Sequence, residues 1–455
     1  MPTSGRATNR SDRSENGDSA AITKHSSRRR FLAGVGGAAA VTGLAGCVGG
    51  GGNDSDVSII AVEGEGRLVE NLIDDYVRDE TDLSIDVTLF PYANLYERVS
   101  SVLTTGGTGY DAILMDDTWF PQFAANLDPL EQWLPDGLPT EQLIDTTVDI
   151  TTWPTPGAPK VPSAEDMDEK IRGQVVVGNT QMFVYNTAYY EEVGEEEPKT
   201  WDDVLRAGQS IDEEIADTNG YVIRGQRGNP ANTNFMSIGW SNLGDMFDED
   251  WRYQWDSSEG EDVVSFFVDD LRSISPDGVG SFNSDQVLNR IGEGSAAQGM
   301  AWPAAASTLL DDDTAEADNL EFIPIPEGEV QQAPMQGNWL LGINSNISDD
   351  RKEDAGTVIQ SIISKEAQDR YVELGGVPFR HDTFEDNMDA EPWYEALYES
   401  LQNAKPRPRT PLWNEIDVTQ GEYLNSALTG DMSPAEVVSE TKNEVESILE
   451  NAGYY

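Results

Sequence analysis

The sequence predicts an α/β protein built as two lobes. Three observations lead there. From residue 57 onward, strand-like and helix-like segments alternate. Beyond its leader the chain runs to about 400 residues, more than one ordinary core holds. No internal repeat recurs at a period of about 20–50 residues, so a solenoid is not expected.

DVSIIAVEGEG gives a strand at Val57–Val62 that ends in a glycine-rich turn. RLVENLIDDYVRDE sets Leu68, Leu72, Ile73, Tyr76 and Val77 on one helical face. LSIDVTLFPY alternates Leu83, Ile85, Val87 and Leu89 at the period of a strand. ANLYERVSSVLTTGG reads as a helix stopped by Gly106-Gly107, and YDAILMDD as a short apolar strand. A β-α-β-α-β order calls for a parallel sheet with right-handed crossovers. Ligands gather at the carboxyl ends of such strands, here residues 63–66, 90–92 and 116–119.

Further along, TTWPTPGAPKVPS is expected as a surface loop, and QVVVGNTQMFVYNTAYYEEVG as a strand running into a turn. PKTWDDVLRAGQSI opens a helix with Thr200 as N-cap and Asp203 as its capping-box partner. Helices are also expected over DVVSFFVDDLRSI, DRKEDAGTVIQSIISKEAQDRYVELGG and SPAEVVSETKNEVESILENAG. In the last, Ser433, Pro434 and Glu436 take the N-cap, N1 and N3 positions.

The 455 residues carry 29 Lys and Arg against 83 Asp and Glu, a formal charge of −54. The first 46 residues hold seven of the basic and three of the acidic side chains, which leaves the remainder at −58. Such a surface repels nucleic acid and anionic membrane, so neither is an expected partner. Heavy charge also suits a disordered chain. Against that, 38% of the residues are hydrophobic, with 11 Trp, 15 Tyr and 13 Phe in periodic segments. A folded halophilic protein is expected instead, because at molar ionic strength the Debye length is about 3 Å and carboxylate repulsion is mostly screened. In such a chain two neighbouring carboxylates say little about catalysis.

SRRRFLAGVGGAAAVTGLAGC opposes this acidity. Arg28 to Arg30 followed by Phe31-Leu32 resembles a twin-arginine export signal. The apolar run at residues 31–45 falls short of the roughly 20 residues that span a bilayer, which favours a processed signal. Leu44-Ala45-Gly46-Cys47 resembles a lipobox, with the chain's single cysteine placed to carry a lipid anchor. Residues 1–46 then form the signal and 47–56 a flexible Gly-rich tether on the outer face of the cell membrane.

Three stretches together resemble the family 1 extracellular solute-binding proteins, the receptors of ABC sugar importers that include the maltodextrin-binding proteins. They are MFVYNTAYYEEVGEEEPKTWDDVLRAG, IGEGSAAQGMAWPAAAS and APMQGNWLLGINSNISDDRKEDAGTVIQSIISKEAQDRYVELGGVPFRHDTF, followed by RPRTPLWNEI and a terminal helix. The resemblance implies a two-lobed periplasmic-binding-protein fold of type II with a ligand cleft between hinged lobes. It divides the chain into 57–175 plus 343–385 and 176–342 plus 386–455, with crossings near 174–185, 337–344 and 381–389. It further implies a monomer without catalysis or cofactor, delivering a sugar or polyol to permease subunits served by a cytoplasmic ATPase.

A sugar is held by flat aromatic faces and by side chains that grip two hydroxyls at once. At the strand ends those are Glu65, Asp116, Asp117 and Trp119. Trp302 matches the family's stacking tryptophan. Asn338 and Trp339 precede the second crossing, Arg380 precedes the third, and Trp413 stands where the family often places another aromatic platform. In YVIRGQRGNPANTNFMSIGW, Arg224 and Arg227 lie beside Gln226, Asn229 and Trp240; the segment reads equally as cleft wall or as a salt-bridged surface loop. Trp133 and Trp201 are expected to pack.

A glycoside hydrolase would also present aromatics and carboxylates, at a defined separation. Metal chemistry is not expected, since His381 is the one histidine beyond the leader and the single cysteine, Cys47, is placed to carry the lipid anchor. Within transport, the rival ligand is glycerol-3-phosphate or another organic anion, held by Arg224, Arg227 and Arg380.

Overall fold

A computed structural model describes residues 55–455. The export signal, the Cys47 lipobox and the tether up to residue 54 lie outside the described residues. Within them, ten strands follow in order: β1 Val57–Val62, β2 Ile85–Phe90, β3 Ala112–Asp116, β4 Thr152–Trp153, β5 Lys170–Ile171, β6 Gln174–Val177, β7 Met182–Asn186, β8 Gln298–Ala301, β9 Leu320–Ile323 and β10 Trp339–Ile343.

The first sheet has the order β2-β1-β3-β10-β6. β1 pairs in parallel with β2 and β3, as the alternation of strands and helices requires. All residues of β1 and β3 are buried, which explains why both read as continuous apolar runs rather than alternating ones. The sheet is not parallel throughout. β10 runs antiparallel to both β3 and β6, because it returns to this sheet from elsewhere and is not delivered by a crossover helix.

A second, antiparallel sheet has the order β8-β7-β9. The chain passes from the first sheet to the second between β6 and β7, so the stretch from Gln174, expected as a strand running into a turn, holds two strands in different sheets. Both sheets belong to one compact unit. The fold is the two-lobed type II binding-protein architecture.

Two other expectations are corrected. The proline-rich stretch is not simply a surface loop: β4 pairs with β5, and Trp153 and Val161 are buried. Their apolar surface draws the segment inward. The long helix expected from residue 350 is two helices, Asp349–Ile362 and Lys365–Glu373. Ser364 leaves helical geometry and caps the second, its Oγ accepting from Ala367 N at 3.2 Å. The capping boxes at Thr200/Asp203 and Ser433/Glu436 are present in both directions.

Asp111, fully buried, fastens the start of β1 to the helix Asp349–Ile362. It accepts from Ser58 N at 2.7 Å and from Arg351 Nε at 2.6 Å, with Arg351 Nη2 on its other oxygen. Removing Arg351 strands a buried carboxylate. We therefore expect Arg351→Ala to cost about 3–5 kcal/mol in denaturant unfolding, whereas Ser433→Ala at the exposed cap costs about 1 kcal/mol.

Candidate ligand-binding cleft

The carboxyl ends of β1, β2 and β3 and the start of β10 open onto a cavity of about 630 Å³. Glu63, Glu65, Tyr92, Asp116 and Trp339 line this wall. Opposite them stand Trp302, which follows β8, Arg224, and residues from the starts of helices Asn229–Leu243 and Ser284–Gly292.

Local sequence explains how each group arrives. Gly64 turns the chain at φ +82°, a conformation glycine adopts without steric penalty, and Glu65 begins the next helix. Asp116 ends β3 opposite Trp339, the first residue of β10. Trp302 lies against Gly337, where a Cβ would come within 2.4 Å of its Cζ3. Any larger residue there would displace the indole.

The aromatic wall is layered. Tyr92 is 49% exposed, with its ring 4.8 Å from Trp119 and edge-on to Trp339 at 6.0 Å. Its hydroxyl donates to Asp116 Oδ2 at 3.1 Å. Glu65, half-buried, has its pKa raised by partial removal from water, with the Asp116 carboxylate adding to the shift.

Beneath this wall lies a buried ion cluster. Arg407 Nη2 donates to Asp117 Oδ1 at 2.7 Å and to Asp116 Oδ1 at 3.4 Å. Asn338 N donates to Asp117 Oδ2 at 3.1 Å, and Arg409 donates to the carbonyls of Asp117 and Ile150. Burial pushes the Asp117 carboxyl up to about 6 despite Arg407. Burial also opposes the charge on Arg407, but Asp117 and Asp116 outweigh it and hold that guanidinium above its usual range. Arg409, with no carboxylate in contact, is lowered by burial to about 10.

Of the residues singled out from sequence, Glu65, Asp116, Arg224, Trp302 and Trp339 line one cavity. Asp117, Trp119 and Asn338 stand behind its wall. Asp117 anchors Arg407, Trp119 supports Tyr92, and Asn338 Oδ1 accepts from Asn179 N at 2.8 Å to shape the crossing.

Four others are placed elsewhere. Arg227 is exposed and pairs with Glu422 at 2.8 Å. Arg380 is buried against Asp382 and the Ile363 carbonyl, so its donors are spent inside the protein. Trp413 is 1% exposed at the start of a helix packed on Asn229–Leu243. Trp240 is buried beside a separate cavity formed by segments 157–160, 245–254 and 405–409. Trp201 packs, its Nε1 donating to Ser241 Oγ.

Sequence reading missed Tyr92, Asn179, Gln181, Asn234 and Arg407 on the cavity wall. Tyr92 falls within a strand end already marked for ligand. Arg407 gave no such signal, because its partners lie about 290 positions away. Among the described residues, no cluster of His, Cys, Asp and Glu has a metal-binding arrangement, and no helix is long and apolar enough to cross a membrane.

The pattern of the bacterial extracellular solute-binding proteins matches residues 61–369. A probable amino-acid ABC transporter periplasmic-binding protein of Sinorhizobium fredii is 22% identical over 387 residues, 83% of this chain and 85% of that one. Maltose-bound MalE3 of T. maritima shares the fold at a TM-score of 0.74 and 23% identity, covering 86% of this chain and 99% of that one. An ABC transporter solute-binding protein of Agrobacterium vitis with bound D-mannitol gives 0.71 and 21%, over 87% and 99%. With two thirds of its length inside the family pattern, this chain belongs to the bacterial extracellular solute-binding proteins, the substrate-binding components of ABC transport.

Proposed function

We propose that this chain is the receptor of an ABC importer for a carbohydrate or polyol. The observation that carries the reading is the cavity at the strand ends, with Trp302 on one wall and Tyr92 and Trp339 on the other. Aromatic faces take the C–H faces of a sugar, and Glu65, Asp116 and Asn179 on the lining offer polar groups to its hydroxyls. The maltose and mannitol named for two structural neighbours agree with it. The amino acid in the name of the Sinorhizobium relative is the competing class.

In this reading the lobes are 57–175 plus 343–385 and 176–342 plus 386–455. They hinge at 174–185, 337–344 and 381–389 and close on the solute, which must make more contacts in the closed form than in the open one. The loaded monomer then meets permease subunits coupled to a cytoplasmic ATPase. The twin-arginine leader exports the chain, and a lipid on Cys47 holds it outside the cell. Its −58 balance beyond the leader suits a halophile's salt.

Melting curves in molar KCl test the ligand class. A sugar or polyol at about 100 times its Kd should stabilise the protein by about 2.7 kcal/mol, and amino acids should not. A melting point raised by amino acids alone removes the carbohydrate reading. For the bound sugar, Trp302→Ala should weaken affinity about tenfold to hundredfold, with Trp302→Phe retaining most of it. Undiminished binding by the alanine variant discards the stacking role. Cys47→Ser should move the protein from the membrane fraction to the soluble one. The unfolding midpoint should climb between dilute and molar KCl.

A further inference from the structure

The cavity is electrically lopsided. On the first-sheet wall, Asp116 already shares Arg407 with Asp117, and Tyr92 donates to its other oxygen. Arg224 on the opposite wall is different. Its main-chain N–H meets Asn234 Oδ1 at 3.2 Å, but its side chain makes no hydrogen bond or ion pair among the described residues, and its Nε is buried without a partner.

Nε of Arg172 and of Arg407 is also buried without a partner, but the other arginines with little exposure have acceptors on the rest of the guanidinium. Arg380 has Asp382, Arg407 has two aspartates, and Arg172 and Arg409 donate to carbonyl oxygens. The acids nearest Arg224 in charge terms do not close the gap. Asp417 spends both oxygens on Asn229 and Asn232, each at 2.7 Å, and Asp285 is exposed on the helix Ser284–Gly292. With 80 acidic side chains against 22 basic ones beyond the leader, carboxylates were in ample supply. A half-buried guanidinium left without one is unfavourable until a ligand supplies it.

The helix Asn229–Leu243 starts at the same wall, but Asp417 meets its first turn through Asn229 and Asn232, so the open cation on this wall is Arg224.

We propose that the captured solute is a polyhydroxylated molecule bearing one anionic group, a carboxylate or a phosphate, which pairs with Arg224 while the hydroxylated remainder meets Trp302, Glu65 and Asp116. The inference rests on the carbohydrate-or-polyol reading and narrows it to sugar acids or sugar phosphates. A guanidinium presents paired N–H groups that match either anion in a bidentate grip, which a lone hydroxyl does not.

The test is equilibrium binding to the full chain in molar KCl, with hexoses and hexitols set against their uronate, aldonate and phosphate counterparts. D-Galactose against D-galacturonate, and glycerol against glycerol 3-phosphate, are the first pairs. At least one anionic member should bind about tenfold or more tightly than its neutral twin. The type of anion that wins separates carboxylate from phosphate. That ratio should collapse to about threefold or less in Arg224→Gln, persist in part in Arg224→Lys, and stay at the parent value in Arg227→Gln, where the exposed pair with Glu422 is lost. Neutral twins that bind as well as the acids, or a preference that survives Arg224→Gln, overturn the inference and leave the sugar reading standing. Silence from every pair overturns both.

Discussion

The pairing of Arg407 with Asp117 governs the architecture around the cleft, because neither charge is tolerable in the interior without the other. Both are almost fully excluded from solvent. A buried ion pair contributes little net stability, but losing one partner is costly. Its consequence is therefore geometric. The segment around residues 405–409 is held against the end of β3, and Asn338 N and the Arg409 guanidinium complete the coordination of Asp117. Three remote stretches of chain are thereby fixed at the base of one cavity, and Arg407 itself reaches its lining.

On that base the aromatic groups are set by support from behind. Trp119, 2% exposed, backs Tyr92 and Trp339, whose remaining freedom is limited by ring contacts of about 5–6 Å, the range in which aromatic pairs attract. Trp302 is held differently, by the absence of a side chain at Gly337. The wall Tyr92 shares with Trp339 and the wall Trp302 forms belong to different sheets. A solute that touches both contributes contacts that an open cleft lacks, and this is the condition for a ligand to shift a conformational balance.

The acidity of the chain acts at two levels. Most of its carboxylates are solvated and carry no information about ligand. The informative ones are those whose burial has been answered. Asp111 has Arg351 and Ser58, Asp117 has Arg407, and Asp417 has two asparagine amides. Against that pattern of compensation, a cavity-facing cation without an acceptor stands out.

Much of the fold was legible along the chain. Apolar periodicity located β1, β2 and β3 and the helices between them, and cap residues such as Thr200 and Ser433 marked helix starts, because both signals act over a few residues. The strand-end rule pointed to Glu65 and Asp116 and to the segment at 90–92 without singling out Tyr92, and the family pattern to Trp302 and Trp339. Other decisions were long-range. Whether Arg380 meets a ligand or Asp382, whether Trp413 faces a cavity or a helix, and whether Arg407 joins Asp117 depend on which surfaces meet after folding. The sequence by itself determined the opening strands and helices, their alternation, the cap residues and the acidic balance, since these follow from local propensity and composition. Only the tertiary structure decided which charges are answered and which remain open, because a charge buried in the interior is balanced by whatever the fold brings within about 3–4 Å, whatever its distance along the chain.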